Sequence, residues 1–337
     1  MEAQVTHNVL DGVRERVRME PTLRDGHIGS RPVPFIGNSP QWLAVLKRAG
    51  QVAATEATTC LQGESGTGKE VVARFIHRAS PRTRGPFLAI NCAALPETLL
   101  ESELFGFERG AFTGAQQPKP GQMELAHGGV LLLDEVTEMP PTAQAKLLRV
   151  LQEREFLRLG GTRPVKMNVR VITATNRDLF SAVAQGRFRE DLYYRINVFD
   201  IRIPPLRERG QDIVLLANSF LEDVARTNGA PTTRLTSGAE AALLAYRWPG
   251  NVRELRNVIE RASIVCEGPL IDTEHLSLVV PEEVSPLGST DLEVLERQAI
   301  TQALRQVGGN KVRAAEQLGI SRTQLYTRLR KYGLQSA

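Results

Sequence analysis

A glycine-rich loop constrains the fold of this chain more than any other feature of its sequence. The loop has the spacing G-x-x-x-x-G-K and consists of Gly63, Glu64, Ser65, Gly66, Thr67, Gly68, Lys69 and Glu70. It follows a short apolar run that begins at Cys60, and it precedes a helical pattern that stops at Ser80-Pro81. This order of strand, loop and helix is what a P-loop requires, because backbone N–H groups and the helix N-terminus then point at nucleotide phosphates while the lysine reaches the β and γ phosphates.

The residue after the lysine departs from the general P-loop motif. That motif has Ser or Thr there as a magnesium ligand, whereas this chain has Glu70. Magnesium must therefore be held differently, for instance through water.

A second part of a nucleotide site is predicted where the apolar run Val130–Leu133 ends in Asp134 and Glu135. Solvated acids at a strand end are the ordinary explanation, but the upstream P-loop favours a hydrolytic role. Asp134 can then hold magnesium and Glu135 can polarise the attacking water, because phosphoryl transfer needs mainly positioning and charge neutralisation. On a parallel sheet both features lie at the carboxyl ends of strands, where ligands bind.

Alternation of short apolar runs with helical patterns predicts an α/β domain with a largely parallel sheet. Strands are expected at 87–90, 130–133 and 169–174, with a helix at 143–153 between the last two. After Pro204-Pro205 only helical patterns remain, which predicts a small helical subdomain built from the segments 212–225, 237–246 and 252–266. A linker rich in Pro, Gly, Ser and Glu then precedes a last helical block that begins near Asp291.

Composition excludes a membrane protein and favours the cytoplasm. The apolar residues, 42% of the chain, form no run near the roughly 20 residues that span a bilayer, and the N-terminus lacks an apolar signal segment. Cys60, Cys92 and Cys266 are scattered and outside any metal-ligand spacing, so buried reduced thiols are expected.

The net charge of +4 is mild, but its positive part is localised near the C-terminus. Between 305 and 331 a single acid, Glu316, accompanies seven cations, namely Arg305, Lys311, Arg313, Arg322, Arg328, Arg330 and Lys331. A solvated helical face would explain such a run, and so would a surface that faces the phosphates of nucleic acid.

The segment 310–329 favours the second explanation because it predicts a helix, a tight turn at Gly319 and a second helix. The packing residues are expected to be Ala314, Ala315, Leu318, Ile320, Leu325 and Leu329. Ser321 would cap the second helix, which leaves Arg322, Thr323, Gln324, Thr327 and Arg328 to face a DNA groove, with Lys311, Arg313 and Lys331 available for phosphates. An ordinary helical hairpin is the alternative.

The chain from Phe35 to Cys266 resembles the AAA+ domain of bacterial enhancer-binding proteins, the activators of sigma-54 RNA polymerase. The most specific marker is the GAFTGA sequence, preceded by Glu103-Leu104-Phe105-Gly106 and formed by Gly110, Ala111, Phe112, Thr113, Gly114 and Ala115. The resemblance implies that this sequence is the tip of a loop that touches sigma-54. Physically, the glycines permit an unusual backbone, and an exposed Phe between small residues is an apolar contact that needs a partner. A buried Phe in an ordinary turn is the alternative.

The resemblance also implies roles for five further residues. Asn91 matches the residue that holds the catalytic glutamate inactive until the γ-phosphate is sensed, and Asn176 matches sensor I. Arg189 and Arg195 match arginine fingers that reach the ATP of a neighbouring subunit, and Arg253 matches sensor II in the helical lid. From spacing alone, surface salt bridges would explain these arginines equally well. Glu70 is usual in this family.

The resemblance further implies a mechanochemical ATPase with ATP and Mg²⁺ as ligands. The C-terminal end of the chain resembles the Fis-type domain, so dimers are expected to bind enhancer DNA. They are then expected to assemble into a ring up to the hexamer and to remodel the closed complex of sigma-54 RNA polymerase into the open one. A DNA-binding regulator of ordinary promoters, in which nucleotide controls only assembly, is the main alternative. A protein-remodelling AAA+ chaperone is another, which the helix-turn-helix disfavours.

The expected organisation has five parts: a short N-terminal segment at 1–34, an α/β subdomain at 35–205, a helical lid at 206–280, a linker at 281–290 and the DNA-binding domain at 291–337. The first part is too short for a receiver or a ligand-sensing domain. Control by a regulatory protein in trans, by expression level, or by a domain absent from this version of the chain is therefore expected.

Overall fold

The computed structural model describes residues 35–229, 231–278, 296–297, 299–301, 303–304 and 310–332. The chain folds into two compact units, Met1–Leu278 and Val279–Ala337. The expected N-terminal segment at 1–34 and the linker at 281–290 lie outside the described residues.

The first unit contains a five-stranded sheet in the order β2-β3-β6-β1-β7, and every pair in it is parallel. Its strands are β1 (Thr59–Gln62), β2 (Phe87–Asn91), β3 (Val130–Asp134), β6 (Arg170–Thr175) and β7 (Phe199–Arg202). The predicted α/β fold with a parallel sheet is confirmed.

Both faces of this sheet are buried, which explains the continuous apolar runs of its strands. Leu131 and Leu133 of β3 belong to one core cluster, whereas Val130 and Leu132 belong to the other. Seven helices surround the sheet: α1 (Pro40–Ala53), α2 (Lys69–Arg78), α3 (Glu97–Phe105), α4 (Gln122–Leu125), α5 (Pro141–Glu153), α6 (Leu179–Ala184) and α7 (Glu190–Ile196). Helices α1 and α2 pack on the face that includes Val130, and α3 and α5 pack on the opposite face.

A small antiparallel hairpin was not predicted from the sequence. It pairs β4 (Glu155–Leu157) with β5 (Pro164–Lys166) directly after α5. Isolated bridges join Phe107 to Lys119 and to Leu159, so the hairpin turn lies beside the segment that carries the GAFTGA sequence.

The helical lid follows a short 3₁₀ turn at Leu206–Glu208 and contains α8 (Asp212–Asn228), α9 (Ser237–Ala245), α10 (Asn251–Val265) and α11 (Thr273–Leu276). The prediction that strands cease after Pro205 was wrong, because β8 (Arg234–Leu235) pairs in parallel with β9 (Leu270–Ile271). Two residues are too few to show a period of two, so this pair leaves no sequence signal.

The second unit contains α12 (Lys311–Gln317) and α13 (Arg322–Lys331), separated by a turn in which Gly319 has φ +64°. Asn310 caps α12, and Ser321 caps α13 by accepting a hydrogen bond from the Gln324 N–H. The predicted packing residues are confirmed, since Ala314, Ala315, Leu325 and Leu329 are buried and the remaining two, Leu318 and Ile320, are partly buried against them.

Two of the three cysteines are buried, as expected. Cys60 and Cys92 are buried, and burial raises the pKa of their thiols to about 11 and about 12. Cys266 was expected to be buried as well, but it is partly exposed after the end of α10.

Among the described residues, no helix is both long and apolar enough to span a membrane.

Candidate nucleotide site and partner-binding surfaces

The P-loop lies between β1 and α2, as its spacing predicts. Gly68 caps α2 with φ +101°, and no side chain in the described part of the chain accepts a hydrogen bond from the first N–H groups of the helix. These groups are free to bind an anion. Gly66 has φ +78°, and a Cβ atom there would lie 2.4 Å from the Gly250 carbonyl oxygen. The loop thus needs glycine both for its backbone conformation and for the close approach of the lid.

Lys69 is buried at the first position of α2 and reaches back across the loop. Its Nζ donates to the Gly63 carbonyl at 2.9 Å and lies 3.6 Å from Oε1 of Glu135. A buried ammonium that lies between loop carbonyls and a carboxylate is suited to neutralise phosphate charge. The lysine of the P-loop and the acids at the end of β3 therefore meet at one edge of the sheet.

Asp134 and Glu135 have different surroundings although they are adjacent. Asp134 is the last residue of β3, and burial, followed by the charge of Glu135, raises the pKa of its carboxyl. Glu135 has φ +51°, in the left-handed region that costs most residues conformational energy. Its Oε2 accepts a hydrogen bond of 3.1 Å from the Asn176 N–H. The strained turn and this bond direct the carboxylate toward Lys69.

Asn91 lies at the same edge but does not hold Glu135. It is in register with Asp134 at the end of β2, and its Oδ1 accepts a hydrogen bond of 2.8 Å from the Ala93 N–H. The inactive pose implied by the family resemblance is not the one observed, and the role of Asn91 stays a prediction.

The lid contacts the P-loop through Asn251, a residue that the sequence reasoning missed. Asn251 is fully buried and has φ +52°. Its Nδ2 donates to Glu64 Oε2 at 3.1 Å and to the Ser65 carbonyl at 3.0 Å, while its Oδ1 accepts from the Leu206 N–H at 2.8 Å. One amide therefore joins the P-loop, the start of the lid and α10. The only signal was an Asn after Pro-Gly, since Asn tolerates the left-handed region better than other side chains.

Two arginines add to this contact between lid and loop. Arg253 Nη1 donates to Ser65 Oγ at 2.9 Å, so the predicted sensor II residue lies against the P-loop. Arg207, also missed from the sequence, pairs with the carboxylate of Glu64 through two hydrogen bonds of 2.9 and 2.7 Å. Glu64 is thus a structural link to the lid, in addition to its place in the predicted phosphate loop.

The two predicted finger arginines lie on and beside α7. Arg189 pairs with Asp191 at 2.7 Å, and Arg195 Nη2 donates to the Leu151 carbonyl at 2.8 Å. Buried Gln144 fixes the start of α7, because its Oε1 accepts from the Arg189 N–H at 2.9 Å. Within the described residues, no hydrogen bond or ion pair joins either guanidinium to the P-loop.

The GAFTGA segment forms a tight exposed turn. The Gly110 N–H donates to the Ala115 carbonyl at 2.9 Å, and the Ala115 N–H donates to the Phe112 carbonyl at 3.0 Å. Gly110 and Gly114 have φ +84° and +109°, which only glycine adopts easily. Phe112 is 45% exposed, with its ring edge-on to Phe107 at 4.9 Å. The expectation of an exposed Phe at a loop tip is confirmed.

The loop between β4 and β5 packs beside this turn. Arg158 Nη1 donates to Glu108 at 3.0 Å, and its Nε and Nη2 bind the carboxylate of Glu124. Gly160 has φ +70°, and a Cβ there would approach Ala111 Cβ to 2.9 Å. The position of the GAFTGA turn therefore depends on contacts with a second loop.

In the second unit, α13 exposes most of the residues predicted to face DNA. Arg322, Thr323, Gln324 and Thr327 are exposed, as is Arg313 on α12. Arg328 differs, because its Nε binds the carboxylate of Glu296 and its side chain is only 33% exposed. Tyr326 is exposed beside Lys311, whose Nζ is 5.9 Å from the ring centroid.

Comparison with known families decides the identity of these parts. Residues 35–202 match the sigma-54 interaction domain, 207–292 match the AAA+ ATPase lid domain, and 291–332 match the bacterial regulatory protein domain of the Fis family. Regulatory protein AtoC of Escherichia coli is 48% identical over 90% of this chain and 68% of its own length. The chain belongs to the sigma-54-dependent transcriptional activators.

Other members of this activator family match similar portions. Response regulator protein PilR of Pseudomonas aeruginosa is 42% identical, with 96% of this chain and 76% of PilR covered. Nitrogen fixation protein AnfA of Azotobacter vinelandii is 47% identical over 90% of this chain, which spans 58% of AnfA.

Solved structures of NtrX from Brucella abortus have a similar fold. NtrX from Brucella abortus in complex with ATP has a TM-score of 0.68 and 34% identity, with 98% of this chain and 73% of that chain covered. Its complex with ADP gives a TM-score of 0.69. The matches to the sigma-54 interaction domain and to the AAA+ ATPase lid domain support an ATPase domain in this activator. The sigma-54 interaction domain and the Fis-family domain indicate sigma-54 and DNA as its partners.

Proposed function

We propose that this activator hydrolyses ATP to remodel the closed complex of sigma-54 RNA polymerase into the open complex. The observation that carries the proposal is the exposed Phe112 at a glycine-bounded turn, in the same unit as a site that combines a P-loop, Lys69 and Glu135. An apolar tip of this kind requires a partner, and the family provides one in sigma-54.

The residues of the proposed site have separate tasks. The N–H groups of the P-loop and the ammonium of Lys69 bind the phosphates, and Asp134 would hold Mg²⁺, which neutralises charge on the transferred phosphoryl group. Glu135 polarises the attacking water, and Asn176 orients Glu135 through its N–H. Arg253 bonds to the P-loop serine, so it is placed to respond when the lid moves.

The fit of a nucleotide to this site rests on three observations. The first turn of α2 has uncapped N–H groups, and the loop glycines have conformations or close contacts that exclude side chains. The acids at the end of β3 provide the oxygen ligands that Mg²⁺ prefers.

Arg189 and Arg195 are proposed to complete the ATP site of a neighbouring subunit in a ring, up to a hexamer. The second unit is proposed to bind enhancer DNA as a dimer. Coupling between the two activities would then pass from hydrolysis to the Phe112-Thr113 turn and from there to sigma-54.

Thr113→Ala tests the coupling, because Thr113 is exposed at the turn and is remote in sequence from the P-loop and from Asp134. The variant should hydrolyse ATP and bind DNA like the wild type. It should fail to bind sigma-54 in the presence of a transition-state mimic of ATP, and it should fail to open a sigma-54 promoter.

Thr227→Ala, an equally exposed threonine on α8, is the matched control and should leave all four measurements unchanged. Full promoter opening by Thr113→Ala would show that this turn does not couple hydrolysis to sigma-54. Loss of ATPase activity in the same variant would show that the turn belongs to the hydrolytic site.

A further inference from the structure

Helix α13 of the DNA-binding unit carries an arginine that lies away from its exposed face. Leu325 and Leu329 are buried and define the inner side of the helix. At about 100° per residue, Thr323 and Thr327 fall nearly opposite them and form the centre of the exposed face. Arg328 falls on the flank, nearer to Leu325 than to Thr327 around the helix. Its position already favours a contact within the unit over a contact in a groove.

Glu296 provides that contact. Its Oε1 binds Arg328 Nε, and its Oε2 accepts a hydrogen bond of 2.5 Å from the Tyr332 hydroxyl. This hydrogen bond, followed by the nearby positive charge of Arg328, holds the pKa of the Glu296 carboxyl below its ordinary range. The carboxylate is therefore ionised at neutral pH and binds both ends of the last turn of α13.

Arg328 and Arg330 differ although they are two residues apart. Arg328 has a buried Nη1 without a hydrogen-bond partner among the described residues, and its side chain is 33% exposed. Arg330 is exposed, and no ion pair joins it to another residue in the described part of the chain. Of these two arginines, Arg330 is therefore the one that presents an unneutralised guanidinium at this end of the helix.

DNA would not readily remove Arg328 from Glu296. If the guanidinium moved to a phosphate, the Glu296 carboxylate would stay beside a polyanion without its counter-charge. An exposed ion pair contributes little stability by itself, but a carboxylate that has lost its partner would also repel the phosphates. The complex with DNA therefore has a lower free energy when the ion pair between Arg328 and Glu296 stays intact.

We propose that Glu296 is a positioning residue for DNA recognition, which keeps the Arg328 guanidinium out of the groove and leaves Arg330 as the arginine that binds phosphate at the end of α13. This corrects the sequence-based assignment of Arg328 to the groove. It rests on DNA binding by the second unit and does not depend on the proposed remodelling of sigma-54 RNA polymerase.

The test measures binding of the full chain to a fluorescein-labelled duplex of mixed sequence as salt is increased. Glu296→Gln releases Arg328, so binding should strengthen and the salt slope should steepen by about 0.9 for each bound subunit, as expected for one added phosphate contact per subunit. Between about 50 and about 200 mM salt, the affinity of this variant should fall about threefold more than that of the wild type for each bound subunit. A purely structural role for Glu296 would not increase the number of phosphate contacts.

Arg328→Ala and Arg330→Ala form the matched pair of controls. Arg328→Ala should weaken binding less than Arg330→Ala does, because it removes no phosphate contact but leaves the Glu296 carboxylate without its counter-charge. The double variant Glu296→Gln/Arg328→Ala, which removes both charges of the pair, should keep the affinity and the slope of the wild type. Arg330→Ala should weaken binding and reduce the slope by about 0.9 for each bound subunit.

Three results would each overturn the proposal. The first is a loss in Arg328→Ala equal to that in Arg330→Ala, which would place Arg328 on DNA in the wild type. The second is a double variant, Glu296→Gln/Arg328→Ala, that binds more tightly than the wild type, which would mean that Glu296 acts only as a charge that repels DNA. The third is no gain from Glu296→Gln in protein whose helical circular dichroism matches the wild type. If Glu296→Gln fails to fold, the comparison of DNA affinity between Arg328→Ala and Arg330→Ala still tests the proposal.

Discussion

Glu135 combines a strained backbone with two contacts that fix its carboxylate. Its left-handed φ raises the conformational energy of a non-glycine residue, and contacts with the Asn176 N–H and the Lys69 ammonium stabilise this conformation. Strain at a residue held by charged and polar groups is typical of sites where a side chain must be aimed. The proposed role as the group that polarises water is consistent with this geometry.

Replacement of Glu135 by alanine should separate binding from hydrolysis. ATP binding should survive, because the N–H groups of the P-loop and Lys69 remain, whereas turnover should fall about 10²- to 10⁴-fold with the loss of the general base. Equilibrium binding of a fluorescent ATP analogue and steady-state phosphate release measure the two effects. Glu138→Ala, three residues along the same segment and paired with Arg177, is the control and should turn over normally. Unchanged turnover in Glu135→Ala would remove this carboxylate from the mechanism.

At the scale of elements, the sequence predicts the strands and helices that have a local pattern, and it misses contacts between residues that are far apart in the chain. The apolar strands, the P-loop helix and the capped α13 each have a local signal, and each is present. Asn251 has only a weak local signal, an Asn after Pro-Gly, because its importance comes from Glu64 and Ser65, almost 190 residues earlier in the chain. The pairing of Arg328 with Glu296 is missed for the same reason, since spacing along α13 alone does not show where its partner lies.

The contact of α10 with the P-loop should be sensitive to Asn251. Asn251→Gly keeps the left-handed backbone and removes three hydrogen bonds to the loop and to Leu206. At about 0.5–1.5 kcal/mol each, their loss should weaken ATP binding by roughly tenfold or more through the lid. Titration calorimetry with a slowly hydrolysed ATP analogue measures this. Asn228→Gly, at the end of α8, is the control, and equal affinities in both variants would show that the lid contact does not support nucleotide binding.

A second connection within the first unit joins the start of α1 to α8. Asp212 is buried, and it accepts hydrogen bonds from the N–H groups of Asn38 and Ser39 at 2.6 and 2.9 Å and from Ser39 Oγ at 2.6 Å. Its partner Arg209 is equally buried, 3.3 Å away, with the guanidinium 4.1 Å from the Trp42 ring. Burial alone would raise the pKa of Asp212, but the Ser39 and Asn38 hydrogen bonds lower it overall.

Asp212→Asn should therefore lower the free energy of unfolding by about 3–5 kcal/mol, because buried Arg209 loses its counter-charge. Asp223→Asn, which removes an exposed pair on the same helix, should change it by less than about 0.5 kcal/mol. Urea denaturation compares the variants. Since the folded-state pKa of Asp212 is lowered, its contribution is present above the unfolded pKa and is lost as the pH falls through the folded pKa. The difference from the wild type should shrink in acid, and a constant difference would contradict the ionised pair as its source.

At the scale of the whole molecule, the two proposed finger arginines make their contacts outside the proposed hydrolytic site. Its P-loop, Asp134 and Glu135 converge, but the guanidinium groups of Arg189 and Arg195 bind Asp191 and the Leu151 carbonyl. A second subunit could provide arginines to the site, which is the arrangement proposed for the ring. Hydrolysis would then depend on assembly, and turnover per subunit should rise with protein concentration.

Mixing two inactive variants tests this dependence directly. Arg195→Ala lacks a finger but keeps its own P-loop and acids, whereas Asp134→Ala lacks the magnesium ligand but keeps both fingers. In a mixed ring, the site of an Arg195→Ala subunit can receive intact fingers from an Asp134→Ala neighbour, so part of the ATPase activity should return. A mixture of Arg195→Ala with Arg189→Ala is the control, because no neighbour in it carries both fingers, and it should stay inactive. Phosphate release measured across mixing ratios should peak near equal amounts of the first two variants. Turnover that is independent of concentration, together with no rescue at any ratio, would mean that each subunit hydrolyses ATP alone.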